Sequence, residues 1–316
     1  MNDFSGFSTI PSAPPGFKSG FVGIIGRPNV GKSTLMNDLI GQKIAITSPV
    51  AQTTRNRLRG ILTTDVAQII FVDTPGIHKP HHQLGKVLVQ NARTAINSVD
   101  VILFVVDGST EAGGGDRFIA NMLTHSPIPV LLGLNKIDLQ PAEQAEEIED
   151  SYRDLAATAA AGSVWPLLKF SALTGEGLDS LQTLIVDRLE AGPYYYPPDL
   201  VTDQPERFIM GELIREQILR LTREEVPHSV AVAIERVEET PKLTRVHASI
   251  NVERSSQKGI LIGKSGAMLK EIGSAARGQI QKLINGKIYL ELFVRVQPRW
   301  RQSRTRLAEF GYSPDE

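Results

Sequence analysis

The chain has no cysteine among its 316 residues. Without thiols it can form neither disulfides nor thiolate zinc sites, and this composition fits a reducing compartment. The sequence also lacks an apolar run of the roughly 20 residues that a membrane-spanning helix needs. Residues 1–19 are rich in serine, proline and glycine and contain no apolar core of the signal-peptide type. We therefore expect a disordered N-terminal extension and a cytoplasmic protein.

Charge is nearly balanced overall, with a net value of −1, but it is unevenly distributed. Residues 250–306 contain 12 lysines and arginines against 3 acidic residues. The rest of the chain holds 22 of the 34 basic and 32 of the 35 acidic residues. A basic module attached to an acidic body commonly binds nucleic acid or an anionic membrane. The alternative interpretation is a solvated basic face without a partner.

Apolar runs alternate with helical stripes over the first 190 residues, and a helix is predicted near 84–97. The near-continuous apolar runs at 101–107 and 130–135 are typical of parallel strands that are covered on both faces. This alternation predicts a doubly wound α/β sheet, and the change of pattern after Gly192 predicts a smaller α+β domain. The predicted organisation is an extension at 1–19, a first domain at 20–192, a linker at 193–206, a second domain at 207–303 and a tail at 304–316.

The segment from Gly26 to Ser33 fits the pattern G-x-x-x-x-G-K-[ST] in full and stands between a predicted strand and a predicted helix. In such a loop backbone N–H groups surround the β- and γ-phosphates of a nucleotide, and the helix N-terminus adds its dipole. Lys32 is expected to neutralise phosphate charge, and the hydroxyl of Ser33 to bind Mg²⁺. The predicted nucleotide contacts here are Gly26, Asn29, Val30, Gly31, Lys32, Ser33 and Thr34.

A second metal ligand is predicted in the motif Asp73-Thr-Pro-Gly76, which follows an apolar strand. The strand places Asp73 at its carboxyl end, where α/β sheets bind ligands. Asp73 is expected to hold Mg²⁺ by way of water, and the N–H of Gly76 to reach the γ-phosphate. A turn without function is the alternative for this tetrapeptide by itself.

Guanine is indicated by the run Asn135-Lys-Ile-Asp138, which follows another apolar strand. The Asp138 carboxylate can accept from N1–H and from the exocyclic amine of guanine, whereas adenine offers no such pair. Asn135 and Lys136 are expected to brace the loops and to cover the base. At the end of the next strand, the run Ser171, Ala172 and Leu173 is predicted to approach the base, with the Ala172 N–H on guanine O6. The four motifs in this order predict a site for GTP and GDP.

These motifs resemble those of translation-factor-like small GTPases, and more narrowly those of the Era family. The resemblance covers 21–301, and it includes Gln52-Thr-Thr-Arg-Asn56 as the first switch and Pro197 to Asp203 as the join between domains. It implies a P-loop GTPase domain followed by a type 2 KH domain. It also implies that a switch threonine coordinates Mg²⁺ when GTP is bound, and we assign Thr54 to this role with Thr53 as the alternative. Hydrolysis is then expected to depend on Lys32, Thr54, Asp73 and Gly76.

Three residue types near these motifs bear on mechanism. Ile77 follows the DxxG motif where Ras-type proteins have a water-orienting glutamine, so we expect slow hydrolysis until RNA or a ribosomal particle orders the switches. Asn29 resembles the asparagine that holds K⁺ in related GTPases, which implies stimulation by K⁺. His78, His81 and His82 are close in sequence, but acids at metal-ligand spacing are missing, and a solvated loop is the better interpretation.

The basic module contains Leu261-Ile-Gly-Lys-Ser-Gly266 between two stretches with helical character. A GxxG loop lets an RNA backbone approach closely, and this order of elements resembles the type 2 KH domain of the Era family. We predict RNA contacts at Arg254, Lys258, Ile262, Gly263, Lys264, Ser265, Gly266, Lys270 and Arg277. Trp300, between Arg299 and Arg301, either stacks on a base at the edge of the domain or caps the core.

The resemblance further implies a monomer that binds the 3′ end of 16S ribosomal RNA and acts in assembly of the 30S ribosomal subunit. Weak peripheral association with the inner membrane is also expected, because basic surfaces attract anionic lipid. Two alternatives remain at this stage. One is an RNA-binding scaffold whose nucleotide is structural, and the other is a membrane-associated regulatory GTPase.

Overall fold

The structure is a computed structural model. It describes residues 10–48, 50, 53–55, 57–76, 84, 90, 94, 96–124, 126–159, 164–284 and 286–312. The predictions for Gln52, Asn56, Ile77 and the three histidines lie outside these residues, as does most of the helix predicted at 84–97. The chain forms two compact units, and the description below concerns the described residues of each. The N-terminal unit draws on Met1–Ile44, Arg57–His78 and Ala92–Asp203, and the C-terminal unit on Ala45–Asn56, Lys79–Asn91 and Gln204–Glu316.

A six-stranded sheet forms the centre of the N-terminal unit. Its strands are β1 (Lys18–Ile25), β2 (Leu58–Thr63), β3 (Ala67–Asp73), β4 (Val101–Asp107), β5 (Val130–Asn135) and β6 (Leu167–Lys169). They are arranged in the order β2-β3-β1-β4-β5-β6. Only β2 is antiparallel to its neighbour, and the other pairs are parallel. The predicted doubly wound α/β sheet is therefore confirmed, with one antiparallel edge strand.

The described helices of this unit are α1 (Lys32–Ile40), α2 (Gly114–Leu123), α3 (Ala145–Ala159) and α4 (Leu178–Arg188). The sequence analysis did not predict α2, because three consecutive glycines at its start favour a loop. Its first turn is stabilised by Asp116, whose side chain accepts a hydrogen bond from the N–H of Gly113 at 2.9 Å. Its apolar face, including Ile119 and Leu123, is buried in the same core as β4 and β5.

Strand register brings the functional motifs to one edge of this sheet. Asp73 at the end of β3 lies opposite Ile24 of β1, immediately before the phosphate loop. Asp107 at the end of β4 lies opposite Asn135 at the end of β5. Parallel strands end at the same edge, and in open α/β sheets that edge is where ligands bind.

The C-terminal unit is a small α+β domain, as predicted. Its sheet consists of β7 (Ala231–Thr240), β8 (Leu243–Val252) and β9 (Lys287–Val296). Its described helices are α5 (Glu206–Leu221), α6 (Val226–Ser229), α7 (Ser255–Ile262), α8 (Ala267–Ile280) and α9 (Arg304–Glu309). Strand β8 pairs antiparallel with β7 and parallel with β9, and α5, α7 and α8 contribute apolar residues to the core that the sheet lines.

Two boundaries differ from the predictions, and the structure decides between the two interpretations of Trp300. The ordered N-terminal unit begins before residue 20, because Phe17 is buried and β1 starts at Lys18. Trp300 does not stack at the domain's edge, since its ring is fully buried and its Nε1 donates to the Ser229 carbonyl at 2.9 Å. The predicted tail at 304–316 contains α9, whose Leu307 shares a buried cluster with Trp300 and Tyr312. None of the helices in the described part of the chain combines the length and apolar character that crossing a bilayer requires.

Candidate functional site

The phosphate loop connects β1 to α1, and two of its glycines are required by the surrounding backbone and side chains. A Cβ on Gly26 would collide with the Val105 carbonyl oxygen of β4. Gly31 adopts φ +100°, and a Cβ there would collide with the amide nitrogen of Asn135. The loop is therefore closely packed against neighbouring strands, with Ser33 and Thr34 in the first turn of α1.

Lys32 extends back over this loop and is almost completely buried. Its Nζ donates to the carbonyl oxygens of Gly26 at 3.1 Å and of Arg27 at 2.8 Å. Burial lowers the pKa of Lys32 to about 8, although the Asp73 carboxylate acts in the opposite direction. A polyphosphate bound here would add the negative charge that favours the ammonium form.

The two oxygen ligands predicted for Mg²⁺ are in contact. The hydroxyl of Ser33 donates to Oδ2 of Asp73 at 2.8 Å, and Asp73 is fully buried at the end of β3. A hydroxyl and a carboxylate are hard oxygen donors of the type that Mg²⁺ prefers, usually together with water and substrate phosphates. The residues present at this position therefore fit the metal ion that the motifs imply.

The loop after β3 lies directly against the phosphate loop. The hydroxyl of Thr74 donates to the Ile24 carbonyl at 2.9 Å, which fixes the start of this loop. Gly76 approaches Pro28 so closely that an added Cβ would lie 2.8 Å from the Pro28 nitrogen. The predicted γ-phosphate contact, Gly76, is thus held beside the loop that is expected to bind the phosphates.

Thr54 is the third predicted metal ligand. The contacts of the described residues around it assign Thr54 to the C-terminal unit, whereas Ser33 and Asp73 belong to the N-terminal unit. Ser33 and Asp73 are in contact, and the role of Thr54 stays a prediction.

At the other end of the site, Asn135 joins two loops. Its Nδ2 donates to the Val30 carbonyl at 2.8 Å, and its Oδ1 accepts from the N–H of Ala172 at 2.9 Å. Asn135 thus links the phosphate loop to the loop that follows β6. The Ala172 N–H, which is predicted to contact guanine O6, already donates to Asn135 within the protein. A base oxygen would have to share that hydrogen bond.

The two remaining residues of the NKxD motif are oriented by neighbouring side chains. The hydroxyl of Ser171 donates to Oδ1 of Asp138 at 2.6 Å, and the Asp138 carboxylate is exposed to solvent. Lys136 adopts a left-handed conformation with φ 66°, and its Nζ lies 2.6 Å from Oδ2 of Asp107. Burial alone would raise the pKa of Asp107, but hydrogen bonds from Lys136 and Ser109 outweigh it and hold that pKa below its ordinary value. Leu173 is exposed beside them.

Sequence reasoning missed an ion pair that ties the phosphate loop to α2. Nε of Arg27 lies 2.7 Å from Oδ1 of Asp116, and Asp116 is fully buried. Burial alone would lower the pKa of Arg27, but Asp116 reverses this and raises it. Arg27 occupies a position at which the motif allows any residue type. The apolar residues Phe118, Ile119 and Met122, at helical spacing, were the sequence signal for the helix that carries Asp116.

A second candidate site lies in the C-terminal unit, at the loop between α7 and α8. Gly263 and Gly266 adopt φ +71° and +81°, and Ser265 between them has φ +52°. A Cβ on Gly263 would lie 2.7 Å from Cβ of Met268, whereas the space around Gly266 is open. Lys264 is exposed at the tip of this loop, which leads directly into the N-terminus of α8.

A groove runs beside this loop, between α7 and α8 on one side and β9 on the other. It consists of two cavities of about 510 and 430 Å³ whose linings share Leu269 and Leu292. Of the predicted RNA contacts, the groove is lined by Lys258, Ile262, Gly266, Lys270 and Arg277. The others, outside both linings, are Arg254, Gly263, Lys264 and Ser265.

Strand β9 supplies the opposite wall, which the sequence analysis did not identify. Tyr289, Phe293 and Arg295 line the groove, and both aromatic rings are about half exposed. The alternating pattern of residues along β9 was the available sequence signal for this wall.

The basic residues that are predicted to contact RNA have no acidic partners in the described part of the chain. Among the described residues, no carboxylate lies within 4.0 Å of the amino or guanidinium nitrogens of the predicted basic contacts, Arg254, Lys258, Lys264, Lys270 and Arg277. Their charge is therefore available to a polyanion.

Comparison with known proteins identifies both units. Residues 21–136 match the family model described as 50S ribosome-binding GTPase, and residues 225–301 match the KH domain model. The chain is 72% identical over 316 residues to the GTPase Era of a Nostoc species, covering all of this chain and 96% of the relative. It is 73% identical over 305 residues to the GTPase Era of Rippkaea orientalis, covering 96% of each chain.

Two solved structures resemble almost the whole chain. One is a variant of Aquifex aeolicus Era bound to GDP·AlF4⁻, with 38% identity and a TM-score of 0.87 over 94% of this chain and 100% of the other. The second is Era in complex with MgGDPNP and nucleotides 1506–1542 of 16S ribosomal RNA, with 38% identity and a TM-score of 0.88 over 94% and 99% of the two chains.

Proposed function

The chain belongs to the Era family of GTPases, and on that premise we propose that it is a GTP-dependent switch that binds the 3′ region of 16S ribosomal RNA and acts in 30S subunit assembly. It binds GTP and hydrolyses it to GDP and phosphate. The observation that carries the proposal is the presence, in one chain, of the guanine nucleotide site and of a basic groove beside a GxxG loop. The relative whose structure contains 16S ribosomal RNA nucleotides supports the choice of RNA.

The proposed division of labour follows the sequence boundaries. We assign nucleotide chemistry to a GTPase domain at 20–192, RNA binding to a KH domain at 207–303, and the join to a linker at 193–206. The two compact units support this assignment, since the described residues on either side of the division at Asp203 belong to different units.

In the nucleotide site, the proposed roles follow from the sequence motifs, and the contacts of Lys32, Ser33, Asp73 and Asp138 support them. Lys32 would bind the phosphates together with the N–H groups of the loop, and Gly76 would contact the γ-phosphate. Ser33 and Asp73 would hold Mg²⁺, which neutralises charge that develops on the phosphates during hydrolysis. Thr54 would complete the metal ligands when GTP is bound. Asp138 would select guanine, with Ser171 fixing the orientation of its carboxylate.

Hydrolysis by the isolated protein is proposed to be slow. The motif position that carries glutamine in Ras-type enzymes is Ile77, and an isoleucine cannot orient a water molecule by hydrogen bonding. We propose that RNA or the ribosomal particle accelerates the reaction. Asn29, in a left-handed conformation within the phosphate loop, is proposed as a K⁺ ligand, and hydrolysis rates in KCl and NaCl would test this role.

In the KH domain, the RNA backbone would pass the GxxG loop while bases enter the groove. Lys264 and the N-terminus of α8 would contact phosphate, and the groove walls at Ile262 and Leu269 would contact bases. Recognition of single-stranded RNA commonly combines backbone contacts with close packing around unstacked bases.

The proposal is tested by crosslinking the protein to RNA and sequencing the bound fragments, once with a GTP analogue and once with GDP. We expect fragments from the 3′ end of 16S ribosomal RNA, with higher recovery in the presence of the GTP analogue. Equal recovery in both states would contradict the switch and leave RNA binding intact. Binding to anionic vesicles in place of RNA would instead favour a membrane-associated regulator, because the same basic surface attracts anionic lipid.

A further inference from the structure

Strand β9 forms one edge of the sheet in the C-terminal unit, and its side chains alternate between the two faces of that sheet. The inward-facing residues belong to the core or pack against it, and they are Ile288, Leu290, Leu292 and Val294. The opposite face carries the residues between them, which are Tyr289, Glu291, Phe293 and Arg295. Two of these have large aromatic side chains, and the proposed function gives neither ring a role.

Both aromatic rings are accessible at the rim of the groove. Tyr289 is 51% exposed and Phe293 is 46% exposed. Tyr289 borders the groove cavity of about 510 Å³, and Phe293 borders the cavity of about 430 Å³. A single exposed aromatic side chain is common, because folded proteins cannot cover all of their apolar surface. Two on the same face of one edge strand, beside an open groove, offer apolar surface that a ligand can cover.

The neighbouring strand β8 restricts one ring and leaves the other uncovered. Arg245 lies directly across from Tyr289 in the sheet, and its Cζ is 5.7 Å from the centroid of the tyrosine ring. A guanidinium is attracted to the face of an aromatic ring, and this contact limits the movement of the ring. Ser249 lies across from Phe293, and its side chain is too small to cover the phenyl ring.

Two carboxylates beside the rings already have nitrogen partners. Oε2 of Glu291 lies 2.9 Å from Nδ1 of His247, and Oε1 of Glu235 lies 3.0 Å from Nη1 of Arg295. Arg245, by contrast, has no carboxylate within 4.0 Å of its guanidinium among the residues that the structure describes. Its charge is therefore available to phosphate, as are the charges beside the groove.

This combination of side chains matches single-stranded RNA, which carries negative charge together with flat apolar bases. Unstacked bases pack on aromatic side chains and on guanidinium planes, and every base has a face that can do so. A GxxG loop clamps about four nucleotides of the backbone. A longer strand therefore continues beyond the loop, and the groove in which it lies is bounded by the edge of β9.

We propose that Tyr289, Phe293 and Arg245 form a stacking face, which binds the bases of single-stranded RNA that leaves the groove over the edge of β9. The inference rests on the proposed function, because it requires RNA in the groove. It extends the RNA site from one face of the sheet to the other. Stacking on aromatic rings tolerates any base, so the stacking face adds affinity and bound length, while selection of the sequence is left to the groove.

The first test compares a short and a long RNA on the full chain by fluorescence anisotropy. The probes are oligoadenylates, one a tetranucleotide that matches the GxxG loop and one about three times as long. In Tyr289→Leu and Phe293→Leu the side chain stays apolar but loses its flat π surface. We expect each variant to bind the long probe about tenfold more weakly than the wild type does, and to bind the tetranucleotide with unchanged affinity.

Matched variants separate stacking from charge and from general effects of substitution. Tyr195→Leu is the control, since Tyr195 is a tyrosine of similar exposure, 44%, in the N-terminal unit, and both affinities should equal those of the wild type. The slope of log K against log salt should stay unchanged in Tyr289→Leu and Phe293→Leu, because no phosphate contact is lost. Arg245→Ala should reduce that slope by about 0.7.

The second test is spectroscopic and uses Phe293→Trp, which keeps a stacking ring and should retain the affinity of the wild type for the long probe. The native tryptophans, Trp165 and Trp300, are both buried, so a change in fluorescence on binding reports the added indole. We expect the long probe to quench this fluorescence and the tetranucleotide to leave it unchanged. Unquenched fluorescence with the long probe bound would overturn the proposal. Leucine variants that bind the long probe as tightly as the wild type would also overturn it, and would leave the rings to a protein partner.

Failure of this proposal and failure of the proposed function give different results. A wild type that binds neither probe would contradict both. Affinity for the long probe that depends on the rings, without preference for the 3′ end of 16S ribosomal RNA or for one nucleotide state, would refute the proposed switch and leave the stacking face intact. A preserved preference for that RNA in leucine variants of unreduced affinity would do the reverse.

Discussion

Both units place a glycine-containing loop before the N-terminus of a helix, yet the two loops differ in how they are held. The phosphate loop is connected to its surroundings by the buried Lys32, by Asn135 on the Val30 carbonyl and by the Arg27–Asp116 pair. The GxxG loop projects Lys264 into solvent, and the space around Gly266 is open. The first loop is fixed from several sides, whereas the second depends mainly on its own backbone conformation.

This difference corresponds to the ligand that each loop is expected to bind. A nucleotide is one compact molecule with charges at fixed distances, and a rigid site can match it without reorganising on binding. A single-stranded RNA is long and variable. Exposed lysine and arginine side chains can contact its phosphates while these side chains remain mobile. We therefore expect substitutions in the nucleotide site to have large, specific effects and substitutions at the groove to have small, additive ones.

The largest effect is expected from Lys32→Ala. Removal of the buried ammonium leaves the γ-phosphate without its main protein cation, and GTP hydrolysis should fall by about 100-fold or more, as for other preorganised charge contacts. Hydrolysis is measured by phosphate release under single-turnover conditions. RNA affinity of the nucleotide-free protein serves as the control and should not change. A loss of RNA affinity of similar size would remove the distinction between the two loops.

The next effect concerns the selection of the base. In Asp138→Asn one acceptor oxygen is replaced by an amide that meets the guanine N–H groups donor to donor. We expect GTP affinity to fall by about 100-fold, because buried polar groups of the ligand lose their partners. Xanthosine triphosphate, which carries a carbonyl oxygen where guanine has its amine, should bind the variant better than GTP does. Competition binding with both nucleotides measures the reversal, and unaltered preference for GTP would contradict the role of Asp138.

GTP affinity should depend on pH because burial lowers the pKa of Lys32 to about 8. Phosphate binding favours the ammonium form, so GTP binding takes up a proton once the pH exceeds about 8. GTP affinity should then fall by up to about tenfold per pH unit above 8, toward the ordinary lysine value near 10.5. Over the same range the nucleotide-free protein should gain stability, since the buried charge is lost as the pH rises. Guanosine, which has no phosphate, is the control ligand, and its affinity should not follow this profile.

The smallest effects are expected at the groove. Lys264→Ala and Lys270→Ala should each weaken RNA binding severalfold without altering the preference among RNA sequences. Each should also reduce the slope of log K against log salt by about 0.7, the value for one phosphate contact on a single strand. Fluorescence anisotropy at several salt concentrations measures both quantities. Lys242→Ala, at the turn between β7 and β8, is the control, because Lys242 lies outside the groove linings.

The sequence by itself determined the chemistry of the nucleotide site and most of the fold. Each nucleotide motif is a short contiguous run that directly follows a strand, so its position at the carboxyl edge of the sheet could be read from local pattern. The bounds of β4 and β5 agree residue for residue with the predicted runs at 101–107 and 130–135. The glycines of the phosphate loop and of the GxxG loop were likewise identifiable, because the backbone conformation they permit is a local property.

Only the tertiary structure decided which distant residues complete these sites. Asp116 for Arg27, Asp107 for Lys136 and the β9 wall of the groove are brought in by long-range packing. Local pattern can indicate the elements that carry these residues, but it does not determine which residues meet. The same reason explains Trp300, whose neighbours made it a core residue, and Arg55, which the sequence presented only as part of a switch motif. Its buried site exists because α6, Trp300 and Tyr312 meet around it, and these elements are separated from it by more than 170 residues.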